Sequence, residues 1–372
     1  MVSWIRKDSS SMRAKTRAKT TRQSHWTAVL LGGLLALIAI CIPIQGVQAK
    51  DCTLTAIVWE GYTDSSFEKP FEQETGCAVK ATYAGSSDEM FAKVRAGGGR
   101  TYDLVSASGD ITERLYRAGL VMPLDTSKLK NYSSVFAPFQ NAKWNTFDGK
   151  PYGVSFAWGP NVLVYNTKEV AEAPTSWNVL FDPKYAGKIT IPDNPMTIAD
   201  VALWLGMSDP YDLSDEDLAK VKDKLLELRP SIRKFWSTAG ELANLFESGE
   251  VVMAHAWPLT YTQLSEAGFP IGSASPKGKL TGWTDSWMVS KNSRNADAAY
   301  QWIDYILSGP GQKGIMDVTG YSGATDLGVE AVGLERAKKL FMDDLSLHKE
   351  IKMWQSVKNY DKWVQLWNEI RS

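Results

Sequence analysis

From Thr53 onward the chain alternates short apolar stretches with segments of helical spacing, and this alternation constrains its fold more than any other feature. Thr53–Val58 reads as a strand, Phe67–Thr75 as a helix stopped by Gly76, and Ala78–Tyr83 as the next strand. Ser86 and Glu89 have capping-box spacing and open a helix with Met90 and Val94 on one face; Gly97-Gly98-Gly99 ends it. Leu104–Ser106 is a third strand leading into a helix from about Ile111. Strands separated by helices imply a parallel sheet covered on both faces, with ligands bound beyond the carboxyl ends of the strands.

A second unit of the same kind follows Trp158. Val162–Tyr165, Lys188–Ile191 and Val251–His255 read as strands, and Asp215–Leu228 as a helix aligning Leu218, Val221, Leu225 and Leu228. Thr238 with Glu241 caps a further helix, and Ser286–Val289 is a later strand. In the tail, Trp363, Leu366, Trp367 and Ile370 fall at helical spacing and read as core packing. No Gly/Ser-rich linker separates the units, so strand-like crossings should join them, and 372 residues are enough for two cores.

The first 49 residues are different material. Seven Lys or Arg stand against one acid up to Arg22, an apolar run covers Ala28 to Ile44, and Val47-Gln48-Ala49 follows. That order reads as a secretory signal, with an uncleaved membrane anchor as the alternative. Cys41 follows Ile40, where lipid attachment needs a small residue, so a lipoprotein is not expected. Export leaves Cys52 and Cys77, each at a strand start, and an oxidising compartment should join them; two unpaired buried cysteines are the alternative.

The remaining chemistry is sparse. A net charge of −1 with no basic stripe gives no case for nucleic acid. The exported part has no G-x-S-x-G, H-E-x-x-H, P-loop or C-x-x-C, and only His255 and His348 remain of three histidines. His255, at the end of an apolar strand, reads as structural, and no cofactor or metal is indicated. What recurs is an aromatic or serine beside an acid near a strand end: Trp59-Glu60-Gly61-Tyr62, Ser108-Gly109-Asp110 and Trp283-Thr284-Asp285, with Trp257 after its strand. Aromatic faces and a few carboxylates are what an ammonium group needs when it leaves water.

Taken in order, these residues resemble the spermidine/putrescine-binding family of periplasmic ABC-transporter solute-binding proteins. The resemblance runs from about Thr53 to the final helix. It rests on Trp59-Glu60-Gly61-Tyr62, Tyr102-Asp103-Leu104-Val105, Gly119 through Leu129, and Thr175-Ser176-Trp177 with Leu180, Pro183, Tyr185 and Gly187-Lys188. Trp283-Thr284-Asp285-Ser286, Gly320-Tyr321 and Trp354-Gln355 complete it. It implies an α/β, two-lobed periplasmic-binding-protein fold (type II), each lobe a sheet flanked by helices, with multiple hinge crossings. Carried over residue by residue, Trp59, Glu60 and Tyr62 form one wall and Trp257 and Trp283 the other. Asp285 is then the ammonium partner, Tyr321 and Gln355 are polar closers, and Ser108 and Asp110 also line the site. Polyamine binders of this family carry a carboxylate pair where this chain offers Asn194 and Thr197.

The expectation is a monomeric, periplasmic, non-enzymatic receptor that hands a small cationic amine to ABC-transporter permease subunits. Candidate ligands are polyamine-like amines, monoamines, quaternary amines and ω-amino acids. A membrane-anchored sensor and a hydrolase on similar lobes are the rival readings. The expected organisation is a signal peptide over 1–49, one lobe from 50–157 and 282–330, and a second from 158–281 and 331–372.

Overall fold

A computed structural model describes residues 52–276 and 280–372; the signal segment expected over 1–49 lies outside the described residues. Two sheets organise the chain. The first has seven strands, with Ser322–Gly323, Gly153–Pro160, Thr281–Val289, Leu104–Ser108, Cys52–Val58 and Cys77–Tyr83 side by side and Lys352–Met353 added to Thr281–Val289. Cys52–Val58 lies between Cys77–Tyr83 and Leu104–Ser108 and is parallel to both, as strand–helix alternation requires. The second sheet has five strands, in the order Ile271–Ala274, Val162–Asn166, Met253–Ala256, Ile189–Pro192, Ile232–Trp236.

Local signals place the helices. Asp64 caps Ser65–Thr75, and Gly76 closes it at φ 69°, a left-handed position that glycine adopts without steric cost. Ser86 caps Ser87–Ala96, Ser214 and Asp217 form a reciprocal capping box on Asp215–Leu228, and Thr238 caps Ala239–Glu247. Cys52 stands opposite Cys77 in register, and the two form a disulfide across the parallel pair. The tail helix Tyr360–Arg371 buries Trp363, Leu366, Trp367 and Ile370, the stripe expected from their spacing.

The chain passes between the sheets more than once. Gly153–Pro160 runs through Asn161 into Val162–Asn166, and the chain returns from Ile271–Ala274 to Thr281–Val289. After Lys352–Met353 it leaves the first sheet again: the tail helix sets Trp367 against Phe235 of the second and donates its indole N–H to Asp193 at 2.8 Å. No described helix is long and apolar enough to cross a membrane.

Candidate functional site

A cavity of about 430 Å³ opens between elements of the two sheets. The first sheet supplies Trp59, Glu60 and Tyr62 from the turn after Cys52–Val58, Ser108 from the end of its strand, and Trp283 and Asp285. Trp283 and Asp285 lie inside Thr281–Val289, which begins five residues earlier than the sequence suggested. Two residues apart on a strand, they face the same way, and the pairing with Gly153–Pro160 shifts register between Asp285 and Ser286, leaving Phe156 as the extra residue on the partner strand. The Trp283 ring fits because its cross-strand neighbour is Gly159: a β-carbon there would stand 3.1 Å from the indole. Tyr321 follows Gly320, whose positive φ ends the helix Gly309–Thr319 and turns the chain inward.

The second sheet contributes Trp257, which precedes the helix Pro258–Glu266, together with Ser237, Thr238 and Gln263; Trp283, expected on the same wall as Trp257, stands instead on the first sheet with Trp59 and Tyr62. The rings of Trp59 and Trp257 meet edge to face across the cavity with centroids 6.2 Å apart, and Trp283 meets Tyr321 at 4.3 Å. At the mouth, Glu60 reaches the other side: its Oε2 accepts the backbone N–H of Gly240 at 3.2 Å. Asp64, also in the lining, is occupied in capping its own helix.

Asp285 is the one lining carboxylate that is fully buried. It accepts hydrogen bonds from the Tyr62 and Ser108 hydroxyls, one on each oxygen. Burial pushes its carboxyl up to about 7, while those two hydroxyls pull it down. The same burial, with the Asp285 charge, holds the Tyr62 and Tyr321 phenols well above their usual range. A carboxylate this desolvated, walled by aromatic faces, is arranged to accept a cation from water. Among the described residues, no group of three or more His, Cys, Asp or Glu side chains is placed to hold a metal ion.

Eight of the twelve residues expected at the site line this cavity: Trp59, Glu60, Tyr62, Ser108, Trp257, Trp283, Asp285 and Tyr321. Asp110, Asn194, Thr197 and Gln355 lie outside the lining. Asp110 is buried beside Ser87, and burial raises it to about 6. Asn194 turns its side-chain oxygen back to the Met196 N–H at 3.0 Å, and Thr197 opens a helix buried on every side. Trp354, not its neighbour Gln355, faces the cavity. Tyr83, Ser237 and Gln263 were not anticipated; Tyr83 and Ser237 sit at or just past strand ends, the placement that picked out Trp59 and Trp257.

Residues 67–341 match the family model for bacterial extracellular solute-binding proteins. A spermidine/putrescine-binding periplasmic protein of Escherichia coli (strain K12) is 27% identical over 295 residues, covering 77% of this chain and 82% of that protein. A putrescine/cadaverine-binding protein of Pseudomonas aeruginosa is 28% identical over 267 residues, covering 68% and 73% respectively. Among solved structures, the spermidine/putrescine ABC transporter substrate-binding protein PotD of Streptococcus pneumoniae superposes with a TM-score of 0.70 at 23% identity, over 86% of this chain and 100% of that one. The binding protein AgtB of A. tumefaciens, in complex with agropinic acid, gives 0.70 at 18% identity, over 87% and 99%. These likenesses confirm the two-lobed α/β fold expected from the sequence.

Proposed function

This chain belongs to the bacterial extracellular solute-binding protein family, and on that premise we propose that it captures a small cationic amine between two closing lobes for an ABC importer. The lobes expected from the sequence are 50–157 with 282–330 and 158–281 with 331–372; because Gly153–Pro160 and Lys352–Met353 are strands of the first sheet, we place the crossings at about Asn161, before Thr281 and after Met353 instead, with the tail helix on the second lobe. The signal segment over 1–49 is removed on export, and the mature protein works as a periplasmic monomer delivering its ligand to permease subunits. Its work is binding and hinge closure, without turnover. A ligand that contacts both walls stabilises the closed form by its extra contacts there.

The observation that carries this reading is Asp285, a buried carboxylate at the base of a cavity walled by Trp59, Trp257, Trp283 and Tyr321. The ammonium rests on Asp285 and the aromatic faces hold the rest of the cation. Each well-placed ring contributes roughly 1–2 kcal/mol when the cation is desolvated. The relatives named above bind spermidine, putrescine or cadaverine by their own designations. In this cavity Asp285 is the one fully buried carboxylate, while Glu60 is bonded to Gly240 and Asp64 caps its own helix, which leaves no second lining acid for a second amine. The pocket therefore favours a compact amine or ω-amino acid over spermidine.

Titration calorimetry of the mature protein with putrescine, cadaverine, a quaternary amine, an ω-amino acid and spermidine tests the reading. Saturable 1:1 binding of one of the smaller cations, tighter than spermidine, is expected. Tight spermidine binding with weak binding of every smaller ligand would overturn the size preference. Binding of none of them would overturn the amine assignment.

A further inference from the structure

Away from the cavity, the two interlobe crossings that meet at Asn161 and Thr281 are tied to each other. The Asn161 backbone N–H donates to the Thr281 carbonyl at 2.9 Å, and the Asn161 side-chain amide donates to Thr281 Oγ1 at 2.8 Å. Both side chains then converge on a third. Asn161 Nδ2 donates to Asp200 Oδ1 at 3.0 Å, and the Thr281 hydroxyl donates to the same oxygen. Asp200 lies on Thr197–Trp204, a helix of the second lobe in which every residue is buried. The loop after this helix reaches the third crossing as well, where the Tyr211 hydroxyl donates to the Lys352 carbonyl at 2.6 Å.

A buried carboxylate needs a reason to be there, because desolvation without full pairing costs several kcal/mol. No Lys or Arg pairs with Asp200 among the described residues, and its Oδ2 has no hydrogen-bond partner among them. His255 Nε2 stands 3.6 Å from Oδ1, but burial pushes that imidazole down to about 3, so it is neutral and supplies no countercharge. What Asp200 does have is one hydroxyl and one amide, and each comes from a different crossing between the two sheets.

We propose that Asp200 is a positioning residue for ligand capture: with Asn161 and Thr281 it clamps two crossings into one hinge that sets how far the lobes close. None of the three residues lines the cavity, so the clamp acts on affinity through the open–closed equilibrium. Breaking it lets the two strands bend independently, and the closed form loses its fixed geometry. This rests on the two-lobe closure of the proposed function.

Three variants of the full mature chain test it. Thr281→Val keeps the shape and removes the hydroxyl donor, Asp200→Leu removes the acceptor, and Asp200→Asn keeps an acceptor oxygen for both donors. Stopped-flow tryptophan fluorescence with putrescine as the probe should show dissociation accelerated about fivefold in Thr281→Val, the factor equivalent to ~1 kcal/mol for one hydrogen bond. Asp200→Asn should stay within about twofold of the parent protein, since its amide oxygen accepts from the same donors. X-ray scattering of the ligand-free proteins should find Thr281→Val and Asp200→Leu more extended than the parent, and Asp200→Asn not. If Thr281→Val melts at a lower temperature yet keeps the parent's dissociation rate and radius of gyration, the cluster is packing only and the proposal fails. Should Asp200→Leu not fold, Thr281→Val decides alone. If putrescine binds none of the proteins, the amine reading is what fails, and the ligand-free scattering still judges the clamp.

Discussion

Replacing Asp285 by Asn should separate ligand binding from folding. The amide keeps the size of the carboxylate and an oxygen that can accept from Ser108 or Tyr62, whose hydroxyls can rotate to suit it. What is lost is the charge. Leaving a desolvated ammonium without its partner costs roughly 2–5 kcal/mol. At about 1.4 kcal/mol per decade, affinity should fall by about 1.5 to 3.5 powers of ten. The effect on the free protein runs the other way. Burial raises the Asp285 carboxyl to about 7 from an ordinary 3.8, so its contribution to stability is fully present below about pH 4 and lost as pH rises through 7. An amide has no such loss, so at pH 8 the ligand-free variant should melt at or above the parent temperature. Trp283→Leu keeps apolar bulk without the ring face and should cost about 1–2 kcal/mol in binding, less than the charge. Calorimetry at pH 8 with the tightest amine, paired with thermal melts of the ligand-free proteins, measures both quantities. A variant that melts lower than its parent while binding within about threefold of it would show that Asp285 only secures the Tyr62 and Ser108 loops, refuting the charge-partner role.

The same carboxyl predicts a pH profile. Affinity for an amine should rise by up to about tenfold per pH unit on approaching 7, then level until the amine itself deprotonates near ~10. Asp110 and Asp200 also titrate high in the folded protein, so the attribution requires the slope to vanish in Asp285→Asn. Peptide mapping without reductant should recover Cys52 and Cys77 joined, and free-thiol labelling of both in the native protein would contradict the pairing. Replacing both cysteines by serine should lower stability by ~3 kcal/mol, from the loop entropy that the bridge removes, as read from urea denaturation midpoints.

Much of this molecule can be read from its residues because the signals are local. Ser86 and Thr238 cap helices at the positions their spacing indicates, and a strand–helix–strand run with a cysteine at each strand start places Cys52 opposite Cys77. Strand-end placement also located most of the cavity, since parallel strands of one sheet point their carboxyl ends to one side. The signal fails where a segment has no solvent face. Gly153–Pro160 is buried throughout and so shows no alternation, and its two glycines look like a loop. They are there because Ser286 and Met288 crowd Gly153 and the Trp283 ring crowds Gly159. Thr197–Trp204, buried on every side, likewise offers no polar stripe to mark it as a helix; Thr197 is its first residue and Asn194 lies just ahead of its cap, both outside the cavity lining. Asp200 was invisible for a third reason. Its partners are 39 and 81 residues away, and an acid within an apolar run reads as an anomaly until the strands that need it are brought beside it. Local spacing thus reports helix caps and strand ends, whereas a hinge is made by residues distant in sequence, where only the folded chain can show which side chains meet.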